Sequence, residues 1–155
     1  GRRSLLNGVA MKIAIGSDHA GFKLKEAIKS AFPGVEFVDV GAFSEESTDY
    51  PDHIGALSRL VKRGEADRGI GICGTGIGAS ITANKFDGIR AALCTSVFMA
   101  EMSRRHNDAN VLILGARVTE ESEAVAITRT WIDTPFEGGR HQRRLDKIAA
   151  IECGG

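Results

Sequence analysis

The sequence lacks several features that mark common classes of protein. It has no excess of either charge, because 20 Lys and Arg residues balance 20 Asp and Glu residues among 155. Nucleic-acid-binding proteins usually carry a basic excess, so we expect no nucleic-acid partner. No run approaches about 18 consecutive apolar residues, so we expect no membrane span. The composition is 43% hydrophobic and 26% charged, which is typical of a single globular domain rather than a disordered chain.

Cysteine is also scarce. Only Cys73, Cys94 and Cys153 occur, far apart and without a Cys-x-x-Cys pair, which excludes a disulfide framework and argues against a thiolate metal site. Free thiols favour a reducing, cytoplasmic location. The apolar part of residues 1–10 is too short for a signal peptide. We expect residues 1–10 to be a tail or a remnant of cloning, and residues 11–152 to form the domain.

Short β-branched runs alternate along the chain with amphipathic helical patterns. Strands are predicted at residues 12–16, 35–40, 69–73, 89–94 and 111–114, and helices at residues 22–32, 54–64, 77–85, 97–105, 120–132 and 140–152. A helix after each strand favours a parallel sheet that is covered on both faces. Right-handed crossovers then give a single three-layer α/β/α Rossmann-like sandwich with five parallel strands and a C-terminal helical extension.

The glycine-rich strand end at residues 73–78, Cys-Gly-Thr-Gly-Ile-Gly, is the first candidate site. Ligands of such sheets bind beyond the carboxyl ends of the strands, and glycines let successive N–H groups converge on a phosphate or an oxyanion. Cys73 can act there as a base or nucleophile, although a free cysteine is commonly a buried core residue. The loop also fits a relaxed dinucleotide fingerprint, but no acidic residue follows at Cys94-Thr95, which disfavours dinucleotide binding.

Two further groups are candidates for binding a substrate. Asp18 and His19 follow the first strand, where Asp18 either caps the next helix or offers a carboxylate to a ligand. Arg140 and Arg144 are spaced i and i+4 on the last helix, so they share one face. Such a pair can clamp a phosphate, or it is a solvated charged surface.

His106 and Asn107 end the fourth helix, directly after two arginines. Cations complement a helix C-terminus, which explains the arginines but not the His-Asn pair. In a parallel α/β unit the end of a helix lies towards the amino ends of the strands, away from Cys73. A second subunit can supply an equivalent His106, so we expect a homodimer whose sites are shared.

Seven strings of the sequence together resemble the RpiB family of ribose-5-phosphate isomerases, in the sugar-phosphate isomerase group that includes galactose-6-phosphate isomerase subunits. The strings are Gly-Ser-Asp-His-Ala-Gly (16–21), Thr-Asp-Tyr-Pro-Asp (48–52), Ile-Cys-Gly-Thr-Gly-Ile-Gly (72–78), Ala-Asn-Lys (83–85), Gly-Ile-Arg-Ala-Ala (88–92), Ser-Arg-Arg-His-Asn-Asp-Ala-Asn (103–110) and Phe-Glu-Gly-Gly-Arg-His (136–141). Each string alone is weak evidence for the resemblance, but the seven strings in this order along the chain are specific for the family.

The resemblance implies an aldose–ketose isomerase of the pentose phosphate pathway that interconverts ribose 5-phosphate and ribulose 5-phosphate through a cis-enediolate, without metal or organic cofactor. By position, Cys73 would be the base, Thr75 a proton relay and His106 the ring-opening residue. The substrate-binding residues would be Asp18, His19, Tyr50, Gly74, Thr75, Gly76, Ile77, Gly78, Asn107, Arg117, Arg140 and Arg144. One branch of the family has a carboxylate base later in the loop, but Ala79 and Ser80 follow here, which favours the cysteine branch.

Other functions stay open at this point. Within the family, a galactose-6-phosphate or allose-6-phosphate isomerase is the alternative, and the resemblance implies a dimer or a dimer of dimers. Outside the family, Cys73 and His106 could serve an acyl-transfer hydrolase, although no obvious third group orients His106. A nucleotide- or sugar-phosphate-binding module without turnover is the third alternative.

Overall fold

The strands form a short antiparallel pair and one five-stranded parallel sheet in a computed structural model that describes residues 5–6 and 9–154. The strands are β1 (Leu5–Leu6), β2 (Val9–Ala10), β3 (Lys12–Ser17), β4 (Glu36–Asp39), β5 (Arg68–Cys73), β6 (Ala91–Leu93) and β7 (Val111–Gly115). The helices are α1 (Phe22–Ala31), α2 (Tyr50–Lys62), α3 (Ile77–Ala83), α4 (Val97–Arg105), α5 (Glu121–Asp133) and α6 (Arg140–Glu152).

The five strands β3 to β7 are all parallel and lie in the order β4-β3-β5-β7-β6. From β3 the chain crosses first to β4 on one side and then to β5 on the other. The strand order therefore reverses between β3 and β5, and the loops beyond this reversal are where an open α/β sheet binds its ligands. Residues 18–21 and 74–76 follow these two strands. This confirms the predicted α/β sandwich with five parallel strands.

Two apolar cores cover the two faces of the sheet. Helices α1, α4 and α5 supply one core, in which Ile28, Ala100 and Trp131 are completely buried. Helices α2 and α3 supply the other, with Ile54 and Ala79 completely buried. The apolar stripes of these helices bury against the sheet, which fixes the strand ends that carry the polar residues.

Several predicted boundaries differ from the structure. Strand β6 is limited to Ala91–Leu93 because the N–H of Ile89 donates to the carbonyl of Phe86 in a turn. Residues 84–85 form a turn after α3 rather than helix. Of the predicted tail, residues 5–6 and 9–10 form the antiparallel pair, and residues 1–4 and 7–8 lie outside the described residues. Among the described helices, none is long and apolar enough to cross a membrane.

Lys25 is completely buried although it lies on α1 among residues that the pattern makes polar. Its Nζ donates to Asp39 Oδ2 at 2.5 Å and to Glu26 Oε1 at 2.9 Å. Lys29 also donates to Asp39, and the N–H of Gly41 donates to the other carboxylate oxygen. Burial alone would raise the pKa of Asp39, but the hydrogen bonds from both lysines hold it below its ordinary value. Compensated charge therefore ties α1 to the end of β4.

Candidate active site

The loop that follows β5 forms a concave backbone surface at the reversal point. Cys73 is the last residue of β5 and is 4% exposed. Gly76 has φ +83° and α3 begins at Ile77. A Cβ on Gly76 would lie 2.5 Å from Leu93 Cδ1, so the loop requires glycine there. Within the described part of the chain, the N–H groups of residues 74–76 and 78 donate to no protein acceptor, which leaves them free for an anion.

Tyr50 packs directly against this loop. It is the first residue of α2, and its ring lies on Gly78, where a Cβ would be 2.4 Å from Tyr50 Cζ. The close approach requires the missing side chain at position 78. Together with Asp18 and His19, Tyr50 lines a cavity of about 550 Å³ whose other walls come from residues 47–52.

Asp18 and His19 lie at the neighbouring strand end. Asp18 is 8% exposed, and its Oδ1 accepts from the N–H of Gly21 at 3.1 Å. It therefore caps the 3₁₀ turn His19–Gly21, whereas α1 itself begins after Gly21 without a side-chain cap. The second carboxylate oxygen of Asp18 is left for a ligand. His19 Nδ1 accepts from the N–H of Thr48 at 3.2 Å. The neutral ring therefore carries its proton on Nε2, which is a donor for a substrate oxygen.

Arg117 covers the same loop from the end of β7. Its N–H donates to the carbonyl of Gly74 at 2.8 Å, and a Cβ on Gly74 would lie 3.4 Å from Arg117 Nη1. The guanidinium is thus placed beside the free N–H groups, where it adds a positive charge for an anionic group.

A second cluster surrounds His106, which follows α4. The His106 ring stacks on the His141 ring, with centroids 4.2 Å apart and planes 13° apart. Glu137 Oε2 lies 3.6 Å from His141 Nε2, and Glu137 Oε1 lies 3.5 Å from Arg105 Nη1. The first turn of α6 therefore docks on the C-terminal end of α4.

Three other predicted site residues, Arg140, Arg144 and Asn107, lie close in sequence to His106 or His141. Arg140 and Arg144 are exposed on α6. Asn107 lines a cavity of about 270 Å³ with Arg90 and Ile148. The following residue, Asp108, has φ +46° and accepts from Arg104 Nη1 at 2.8 Å. The sequence predicted that Arg104 complements the helix end. Arg104 is in fact 5% exposed and forms an ion pair with Asp108, whose side chain is partly exposed.

The two clusters lie at opposite edges of the sheet. Cys73 pairs with Gly115 at the carboxyl end of β7, whereas residues 106–110 lead into its amino end. Five residues of β7 at about 3.3 Å each separate these edges by roughly 16 Å. One chain therefore brings together Asp18, His19, Tyr50, residues 73–78 and Arg117, and separately His106, Asn107, Arg140 and Arg144. The acyl-transfer alternative, which needs a Cys–His contact, is disfavoured within one chain.

Cys94 provides a contrast with Cys73. It is 1% exposed and lies in the core below α4. Burial raises the pKa of its thiol to about 11. A thiol in this environment is inert at neutral pH, which agrees with the core position predicted for Cys94.

Comparison with known proteins decides the family. The profile of the family "Ribose/Galactose Isomerase" matches residues 13–148. The chain belongs to this family. Ribose-5-phosphate isomerase B of Escherichia coli (strain K12) is 50% identical over 143 residues, which cover 91% of this chain and 96% of that protein.

Solved structures of other ribose/galactose isomerase family members have the same fold. Ribose-5-phosphate isomerase B of Clostridium thermocellum is 53% identical, with a TM-score of 0.92, over 93% of this chain and 99% of that chain. A ribose-5-phosphate isomerase B from Mycoplasma genitalium, solved with bound ribulose-5-phosphate, is 39% identical, with a TM-score of 0.89, over 95% of this chain and 99% of that one.

In this family member, sequence reasoning missed three residues next to the predicted ones. Glu137 and His141 stand only inside one of the strings, and Glu137 precedes α6, which begins at Arg140, so helical spacing gives no signal that they meet. Thr48, whose N–H orients His19, gave no signal because the contact is made by its backbone.

Proposed function

We propose that the chain interconverts D-ribose 5-phosphate and D-ribulose 5-phosphate through a cis-enediolate, without a cofactor. The observation that carries this is the position of Cys73, directly before unpaired N–H groups at the reversal point of the sheet. The relatives named ribose-5-phosphate isomerase B support the pentose over a hexose phosphate.

In the first step His106 opens the furanose ring. It takes the proton of the anomeric hydroxyl while the ring C–O bond breaks, the aldehyde forms and the ring oxygen gains a proton. Asp18 and Asn107 bind the sugar hydroxyls and so hold the open chain in place. Tyr50 lines the pocket beside the reacting carbons.

In the second step Cys73, as the thiolate, removes the proton from C2 and the aldehyde oxygen becomes an enediolate oxygen. The N–H groups of residues 74–76 and 78 stabilise that oxygen, whereas the N–H of Ile77 already donates to Thr75 Oγ1 at 3.2 Å. Donors of this kind are worth about 3 kcal/mol each in comparable sites. Thr75 moves a proton between the two oxygens. The Cys73 thiol then returns its proton to C1, which completes the ketose.

The phosphate is held by His19, Arg117, Arg140 and Arg144. His19 donates from Nε2, since Nδ1 accepts from Thr48, and the arginines supply charge-assisted hydrogen bonds. Binding the phosphate, which takes no part in the chemistry, orients C1 and C2 against Cys73.

The active site is shared between two subunits of a homodimer. The roughly 16 Å that separates the two edges of the sheet supports this, because residues 106–107, Arg140 and Arg144 cannot reach Cys73 of the same chain. An isologous pair brings each second cluster to the partner's first cluster. The three unpaired cysteines support a reducing, cytoplasmic location.

Replacement of the thiol tests the base. Cys73→Ala should lower kcat on ribose 5-phosphate by about 10² to 10⁴, the usual contribution of a positioned base, while binding is retained. Cys94→Ala is the matched control, because it removes a buried thiol away from the loop and should leave kcat unchanged. Substantial activity in Cys73→Ala at neutral pH would contradict the proposal.

Mixing two inactive variants tests the shared site. After subunit exchange between Cys73→Ala and His106→Asn, half of the dimers are mixed and each has one intact site, so about a quarter of wild-type activity should return. Native mass spectrometry reports the exchange. Mixed dimers without recovered activity would refute the shared site.

The substrate is tested by comparing kcat/KM for ribose 5-phosphate, galactose 6-phosphate and allose 6-phosphate. Ribose 5-phosphate should be preferred. A higher value for either hexose phosphate would favour the alternative function, and no turnover of any of the three would favour a binding module.

A further inference from the structure

The mechanism above makes no use of His141, although this side chain has an unusual position. It is 5% exposed, and its ring lies face to face with His106 at a centroid distance of 4.2 Å and an angle of 13°. Parallel packing of two imidazoles at this distance fixes the plane of each ring. His106 itself is only partly buried, and among the described residues the stack on His141 is the contact that faces its ring.

The surroundings of His141 favour its uncharged form. Burial lowers the pKa of His141, and the positive charges of His106, Arg140 and Arg144 lower it further, whereas Glu137 opposes them. A neutral aromatic face accommodates the imidazolium that forms when His106 takes a proton, as in a cation–π contact. A second cation at this position would instead oppose that protonation.

The segment before α6 holds His141 in place. The N–H of Glu137 donates to the carbonyl of Arg105 at 3.1 Å, so this segment is tied to the residue that precedes His106. The N–H of His141 donates to the carbonyl of Gly138 at 3.1 Å. His141 and His106 are therefore positioned by the same contact between α4 and α6, in the same chain.

We propose that His141 is a positioning residue for ring opening: its buried ring holds the His106 ring in the plane needed for proton transfer with the sugar. The inference rests on the proposed function, since it assigns a support to the ring-opening residue. His141 neither touches the substrate nor exchanges a proton with it. A flat, apolar aromatic side chain should therefore replace it.

The test compares His141→Ala and His141→Phe with Gln142→Ala, which changes an exposed neighbour on α6 and should behave as the wild type. Two reactions are followed for each. Turnover of ribose 5-phosphate requires ring opening. Solvent deuterium exchange into C1 of ribulose 5-phosphate, which is already open-chain, uses Cys73, the loop N–H groups and phosphate binding but no ring opening. An aromatic stack is a modest interaction, so His141→Ala should lose about three- to tenfold in kcat on ribose 5-phosphate.

Exchange in His141→Ala should stay within about twofold of the wild type, and His141→Phe should restore turnover. If α6 simply lost its structure, Arg140 and Arg144 would be lost too and exchange would fall with turnover, which would overturn the proposal. Full activity in His141→Ala, or an equal loss in His141→Phe, would also overturn it. A wild-type protein that neither turns over ribose 5-phosphate nor exchanges would refute the proposed function itself.

Discussion

Replacing Gly78 by alanine tests whether the close contact between α3 and Tyr50 shapes the site. The new Cβ would lie 2.4 Å from Tyr50 Cζ and 2.6 Å from its hydroxyl oxygen, where ordinary contacts begin at 3.4 Å. The ring must therefore move by about 1 Å, and it can do so because Tyr50 is 37% exposed. A misplacement of about 1 Å at a site can cost roughly 10²-fold in rate.

The effect on stability should have the opposite sign. Gly78 is the second residue of α3, and alanine is favoured over glycine in a helix by about 1 kcal/mol. We expect kcat/KM on ribose 5-phosphate to fall by about ten- to a hundredfold, while the midpoint of thermal unfolding stays the same or rises. The two measurements together separate a displaced Tyr50 from a damaged fold.

Gly55→Ala is the matched control, because the three atoms nearest its Cβ would all belong to the flexible end of Arg59, the nearest at 3.3 Å. This variant should keep wild-type kcat/KM. In a Tyr50→Ala background, Gly78→Ala should cost nothing more, since the ring is gone. The reasoning fails if Gly78→Ala is fully active, or if its loss is as large without the Tyr50 ring as with it.

Two other contacts give predictions of the same kind. Asp108→Ala leaves the buried Arg104 without its carboxylate and should lower the free energy of unfolding by about 1–3 kcal/mol, measured in urea; an unchanged value would contradict the ion pair. Asp39→Asn should cost about 3 kcal/mol at pH 7. Because the folded pKa of Asp39 lies below its ordinary value of 3.8, this difference should persist above pH 3.8 and shrink as the pH falls through the folded pKa. A difference that does not depend on pH would contradict the pairing with Lys25.

The sequence predicted the elements of the fold because each has a local signal. Alternating apolar runs and helical stripes bury against one sheet, so α6 was predicted at its observed bounds, 140–152. The bounds of individual strands were predicted less well. Strand β6 pairs only with β7. The N–H of Arg90 just before it donates to the side chain of Asn110, so the strand begins later than the apolar run does.

Contacts between distant residues carried no local signal. The stack of His106 on His141 depends on how α6 docks, and nothing in either segment specifies that docking. The same holds for Lys25, which the helical pattern places among polar residues. Its burial becomes visible only once β4 brings Asp39 beside it. The predicted sheet topology was enough to place the polar side chains at the strand ends together. It was not enough to predict which side chains meet between a helix and its neighbour.

The division of the proposed site follows from the geometry of a parallel α/β unit. The strand loops, with Cys73 and His19, meet at the carboxyl edge because every strand points that way. A residue that follows a helix, such as His106, returns to the amino edge by the same geometry. A site that uses both kinds of residue must be completed by another chain, because the sheet itself stands between them. The position of the proposed ring-opening residue after a helix, rather than after a strand, thus makes assembly a condition of the proposed activity.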